Sequence, residues 1–199
     1  MAKFRNKYRI ESARLYGWNY RNAGHYFITI CTKDKIHHFG QCKKGKMYLS
    51  TIGLIVQGCW YEIPRLNPQI RLEEFIVMPN HIHGVLILGN TDLGVEETLQ
   101  CNVSTRGDIP IKTETGKFNY EFFSDISPKS GSISRILGSF KSACSKHIHL
   151  AFPDVEFDWQ ERFHDHIIRS EAAFVRISNY ILNNPLTWDK DKFNNDDPP

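Results

Sequence analysis

Several absences narrow the reading before any motif is considered. No apolar run approaches the ~20 residues that a membrane-spanning helix needs, so a membrane-embedded protein is not expected. The basic start Met1-Ala2-Lys3-Phe4-Arg5 is not followed by a hydrophobic signal core, and a cytoplasmic protein is the simplest expectation. The five cysteines, Cys31, Cys42, Cys59, Cys101 and Cys144, never form a CxxC pair. That argues against a zinc ribbon or a dithiol redox motif and for free thiols. Acidic residues are scarce early: up to Lys46 only Glu11 and Asp34 stand against Lys3, Arg5, Lys7, Arg9, Arg14, Arg21, Lys33, Lys35, Lys43, Lys44 and Lys46. Such a block often marks a nucleic-acid partner, and a solvated basic surface explains it equally well. A chain of 199 residues suits one domain, or one domain with a large insertion.

The elements that are present form a pattern. His25 to Thr32 is rich in β-branched and aromatic residues and reads as a strand. Lys46 to Leu49 reads as a short strand after a Lys44-Gly45 turn. A helix is expected from Ser50, with Leu54, Ile55, Gly58, Cys59 and Tyr61 as its apolar stripe and Pro64 as its stop. Leu72 to Met78 and His81 to Leu88 read as two antiparallel strands joined at Pro79-Asn80. The unbroken Gly84-Val85-Leu86-Ile87-Leu88 run suits a central strand buried on both faces. From about 89 to 130 the chain turns polar and loses periodicity, which reads as an insertion. Ser132 to His149 returns to helical spacing, with Ile133, Ile136, Leu137 and Phe140 as the apolar stripe. Its other face carries Arg135, Lys141 and Lys146 with no acid, which suits phosphate contacts or a plain amphipathic helix. Phe157 to Arg169 is dense in aromatics, histidines and arginines. Trp159 and Phe163 read as core aromatics, and Arg162 and Arg169 as candidate phosphate contacts. Ser170 is a good N-cap for a last helix with Ala173, Phe174, Ile177 and Ile181 inward; Pro185 ends it. The tail from 189 to 199 is polar and expected to fray.

Two features carry chemistry. His81 and His83 flank Ile82 on a strand, so both imidazoles point to one face, where they can hold a divalent metal. Two histidines leave that site incomplete. On the last helix Tyr180 and Asn184 are four residues apart and share a face. Two imidazoles and an amide oxygen can bind Mg²⁺ or Mn²⁺ with positions left for phosphate oxygens. A tyrosine hydroxyl beside them can attack phosphorus and form a phosphotyrosine. Pro185 biases Asn184 away from helical geometry, which leaves Asn183 as a competing donor.

The chain resembles the single-tyrosine HUH transposases, in the branch called REP-associated tyrosine transposases. The resemblance runs through Gly24 to Thr32, Val77 to Gly84, Phe140-Lys141-Ser142, Trp159 to Arg169 and Tyr180 to Pro185. It implies an α+β, ferredoxin-like αβ sandwich, with a central antiparallel sheet carrying the histidine motif and helices on one face. Residues 1–188 would form a single such domain. The resemblance also implies His81, His83 and Asn184 as metal ligands and Tyr180 as nucleophile. The partner it implies is single-stranded DNA near hairpin-forming palindromes, with cleavage through a 5′-phosphotyrosine. Relatives of this type act as monomers or homodimers. DNA-contact candidates are Lys3, Arg5, Arg14, Arg135, Lys141, Arg162 and Arg169. Two other functions suit the same residues: a metal-dependent nuclease in which water attacks, and a domesticated transposase that binds hairpins without cutting.

Overall fold

The computed structural model describes residues 18–89 and 131–194. The expectations for Lys3, Arg5, Arg14, Cys101 and the insertion from 90 to 130 lie outside the described residues.

The core is a four-stranded sheet built from β1 (Gly24–Cys31), β4 (Ile70–Val77), β5 (His81–Leu88) and β6 (His164–Ile168). The strand order is β4-β5-β1-β6, and every neighbouring pair is antiparallel. Two helices complete the path: α1 (Thr51–Tyr61) lies between β1 and β4, and α3 (Ile133–Ala151) between β5 and β6. That β-α-β-β-α-β path with this strand order is the ferredoxin-like arrangement. A hairpin, β2 (Gly40–Lys43) and β3 (Lys46–Leu49), is inserted before α1. Its turn takes Lys44 and Gly45 through positive φ, 50° and 70°, the two left-handed positions that a tight two-residue hairpin requires.

The alternation of β1 and β5 divides the apolar residues between two faces. Tyr26, Ile28, Ile30, Ile82 and Leu86 pack with Val56 and Trp60 of α1 and Ile133, Leu137 and Phe140 of α3. Val85, Phe27 and Ile168 turn the other way, against Phe174, Ile177 and Ile181 of α4 (Glu171–Asn183). The expectation of helices on one face is corrected in this respect: α1 and α3 cover one face and α4 the other. A central strand that is apolar on both sides needs cover on both, and α4 supplies it. Ser132 and Ser170 cap α3 and α4 through hydrogen bonds from the amides of Arg135 and Ala173.

Three local expectations shift. The buried stripe of α1 is Ile52, Val56 and Trp60, while Leu54 and Tyr61 are exposed; the i, i+4, i+8 row wins because it brings the indole onto the sheet. Pro64 does not merely stop that helix: it sits in the first turn of a short α2 (Ile63–Leu66), where its missing N–H costs nothing. The tail does not fray at Trp188. A 3₁₀ segment, Asn184–Lys190, follows α4 directly, and Phe193 packs against the two histidines, with ring centroids 4.6 Å from His81 and 6.2 Å from His83.

Candidate metal and nucleophile site

The site lies on the α4 face of the sheet. His81 and His83 are both buried, with ring centroids 4.5 Å apart. They are held there by register: Cys31 pairs with His81 and Thr29 with His83. Thr29 Oγ1 lies 2.8 Å from His83 Nδ1, and Asn80 Oδ1 lies 2.9 Å from His81 Nδ1. Burial lowers both imidazoles, His81 to about 2 and His83 to about 3, with the positive charge of Lys192 acting in the same direction. Both rings are therefore neutral, the form that binds a metal.

From the opposite side α4 delivers Tyr180. Its hydroxyl is 3.2 Å from His83 Nε2, and its ring packs edge-on to Phe27. Burial raises the phenol above its ordinary range; nearby Asp191 adds to this, and a hydrogen bond with Asn184 opposes it. Asn184 is fully buried and keeps helical backbone angles, φ −55° and ψ −42°, despite the proline that follows. Asn183 is exposed and donates to the Asn179 carbonyl, so of the two asparagines Asn184 is the buried one.

Two buried atoms at this site have no hydrogen-bond partner: His81 Nε2 and Asn184 Oδ1. Native structures leave few buried acceptors unmet, and each invites an explanation. A hard divalent cation such as Mg²⁺ or Mn²⁺ accepts both nitrogen and amide-oxygen donors. No group of three or more His, Cys, Asp or Glu side chains among the described residues stands together as a metal cluster; the Asn184 amide oxygen is a side-chain donor of another kind. On these grounds the residues fit the ion.

Beside the histidines a pocket of about 250 Å³ is lined by Phe27, Thr29, His83, His164, Asp165, His166, Tyr180, Lys192 and Phe193. His164 and His166 reach it because β6 pairs Thr29 with His164 and Phe27 with His166. Of the DNA-contact candidates, Arg162 and Arg169 are exposed and bracket β6. Arg135 and Lys141 are not brought to the site. Both lie on α3, across the sheet, and Lys141 Nζ donates to the carbonyls of Gln160 and Glu161 at 2.7 and 3.3 Å.

Sequence reasoning missed four participants. Asn80 read only as a turn residue and Thr29 only as a strand residue, although each lies one cross-strand or one chain step from a histidine. Lys192 and Phe193 sit in a polar tail; the single signal there was that Phe193 is its only aromatic.

The fold and site define a ferredoxin-like α+β protein with a buried histidine pair facing a helix-borne tyrosine. No family model matches the chain. An uncharacterized protein of Haemophilus influenzae is 35% identical over 182 residues, covering 92% of this chain and 91% of that protein. This chain belongs to the same family as that protein. Among solved structures, a REP-associated tyrosine transposase bound to a REP hairpin aligns over 94% of this chain and 74% of that one, at 17% identity and a TM-score of 0.46. A Deinococcus radiodurans protein provisionally assigned as a transposase aligns over 87% of this chain and 97% of that one, at 14% identity and a TM-score of 0.44. Likenesses this loose carry no functional weight, and function is argued below from the side chains.

Proposed function

We propose that this protein is an HUH-type tyrosine transesterase that cleaves and rejoins single-stranded DNA near hairpins, using Mg²⁺ or Mn²⁺. The observation that carries this reading is one convergence. The Tyr180 hydroxyl lies 3.2 Å from His83 Nε2, and the His83 ring lies against that of His81; His81 Nε2 and Asn184 Oδ1, the latter one turn of α4 beyond Tyr180, are both buried without a hydrogen-bond partner.

His81, His83 and Asn184 would hold the ion, which when bound polarises a phosphate and stabilises developing negative charge. The chain's own residues do the rest. Tyr180 lies in the pocket wall as a neutral, part-exposed phenol and attacks phosphorus as its proton passes to water. A bond forms between Tyr180 Oη and phosphorus while the bond from phosphorus to the 3′ oxygen breaks. That oxygen leaves as a 3′ hydroxyl after taking up a proton. The DNA stays attached through its 5′ phosphate, so the phosphodiester energy is kept for rejoining. Lys192 adds positive charge to the pocket in which a DNA phosphate would sit, and the resemblance in sequence to REP-associated tyrosine transposases supports the same reading.

The test is incubation with a panel of single-stranded hairpins and Mn²⁺, read on a denaturing gel. A covalent protein–DNA band is expected with the wild type and none with Tyr180→Phe, while hairpin binding persists. An adduct formed by Tyr180→Phe would remove Tyr180 as nucleophile. Cleavage with no adduct would make the protein a water-using nuclease.

A further inference from the structure

We propose that Asn80 is a positioning residue that fixes His81 in its Nδ1–H tautomer and so turns a bare Nε2 toward the metal position. The inference rests on the metal-site reading above, but its central claim concerns the metal-free protein.

Asn80 is fully buried. Its Nδ2 lies 3.0 Å from the Lys35 carbonyl and 2.7 Å from the Phe193 carbonyl. Carbonyl oxygens only accept, so the amide edge facing them is the NH₂ edge and both of its hydrogens are used. The opposite edge, facing His81 Nδ1 at 2.9 Å, is therefore the oxygen. An amide oxygen also only accepts, so Nδ1 carries the hydrogen. A neutral imidazole has one ring hydrogen, and Nε2 is left with a free lone pair. That is the atom found buried and without a partner.

The amide itself cannot swing. The Asn80 backbone carbonyl accepts from the Thr32 amide at 2.8 Å, and the single Thr32 hydroxyl hydrogen lies between the Ile36 and Asn80 carbonyls, 2.8 and 3.0 Å from its oxygen. Asn80 is thus pinned by the β1 end, by the Lys35 turn and by the C-terminal segment at once. His83 is different. Its Nδ1 faces the Thr29 hydroxyl, which both donates and accepts and so imposes no tautomer by itself. Only asparagine meets the Asn80 position in full. Aspartate accepts from Nδ1 but cannot donate to two carbonyls, and alanine does neither.

That difference supplies the test. Long-range ¹H–¹⁵N spectra of histidine rings in chelator-treated protein report the His81 tautomer, and Mn²⁺ titration reports affinity. The wild type should show His81 as Nδ1–H. Asn80→Ala should lose that preference and bind Mn²⁺ about 10–100-fold more weakly, the usual effect of removing a partner that orients a metal-ligating histidine. Asn80→Asp should keep the tautomer and most of the affinity, although it loses the same two donations to Lys35 and Phe193. A purely structural role would make both variants fall together, and that result would overturn the proposal. So would a wild-type His81 found as Nε2–H, which needs no variant to fold. Wild-type protein that binds no Mn²⁺ would instead refute the metal-site reading, and the tautomer spectra would still decide the assignment to Asn80.

Discussion

Gly84 is the residue whose substitution best tests how the histidine strand is held. It directly follows His83, on the opposite face of β5, where Trp60 lies flat against the sheet. A Cβ at this position would sit 2.9 Å from Trp60 Cη2, nearer still to Cζ2, and 3.1 Å from Phe75 Cδ2. The indole has no room to retreat. It is fully buried, stacked on Phe75 with centroids 4.5 Å apart, and bounded edge-on by Phe140 at 5.4 Å. Forcing one extra methyl into such a core costs about 1–3 kcal/mol. For a chain of this size that lowers Tm by roughly 3–10 °C. Urea unfolding of Gly84→Ala should show the loss in midpoint without a change in slope. A double-mutant cycle isolates the cause. Trp60→Phe removes the clashing ring, so Gly84→Ala should cost less in that background, with a coupling above about 0.5 kcal/mol. Gly84→Ala within about 0.5 kcal/mol of wild type, or strict additivity with Trp60→Phe, would refute this account of why glycine follows the second histidine.

Further expectations follow from the same geometry. His81 and His83 are held below their ordinary range when folded, so between about pH 3 and pH 6.5 the unfolded chain binds more protons than the folded one. Stability of chelator-treated protein should therefore rise with pH across that window and fall on acidification, by up to about 1.4 kcal/mol per pH unit for each histidine; urea unfolding at several pH values checks this, and His83→Gln should flatten the slope. Asn184→Ala should weaken Mn²⁺ binding about tenfold or more, whereas Asn183→Ala, on the exposed side, should leave it unchanged in the same titration. Ser170→Ala removes the cap of α4 and should cost about 1 kcal/mol in thermal or chemical unfolding.

The fold was legible where one pattern governed a segment. β5 reads directly from alternation and an apolar run, α3 from a clean stripe begun by Ser132, and α4 from Ser170 and its four inward residues. It was illegible where two patterns overlapped. On α1 both Leu54–Gly58–Tyr61 and Ile52–Val56–Trp60 are apolar rows, and only the glycine on β5, far away in sequence, decides which faces inward. β6 hides in the Phe157–Arg169 stretch because His164 and His166 are polar and exposed beside the pocket, which breaks the hydrophobic alternation that marks a strand. The site was legible in its reactive groups and not in its supports. Tyr180, His81, His83 and Asn184 are chemically distinctive residues. Asn80 and Thr29 each reach their histidine through one hydrogen bond, and nothing in local sequence separates that contact from an ordinary turn or strand residue.

Asn184 shows why local rules break where the site is built. A residue before proline is pushed out of the helical region by the proline ring, and the sequence alone therefore leaves Asn183 in competition. The structure keeps Asn184 helical because both flanks are anchored. Ile181 is buried one turn before it and Trp188 one turn after it, and the chain passes from α4 into the 3₁₀ segment without a break. In a segment so anchored, moving Asn184 outward would expose either the isoleucine or the tryptophan, at about 1.5–3 kcal/mol for a large apolar side chain. Proline then serves rather than opposes: its fixed φ suits the first position of the 3₁₀ turn and needs no hydrogen-bond partner there. The cost of the pre-proline strain is offset by packing on both sides of Asn184, with the Trp188 ring centroid 5.9 Å from that of His81. What it secures is a fully buried amide one helical turn beyond Tyr180, its oxygen left without a hydrogen-bond partner.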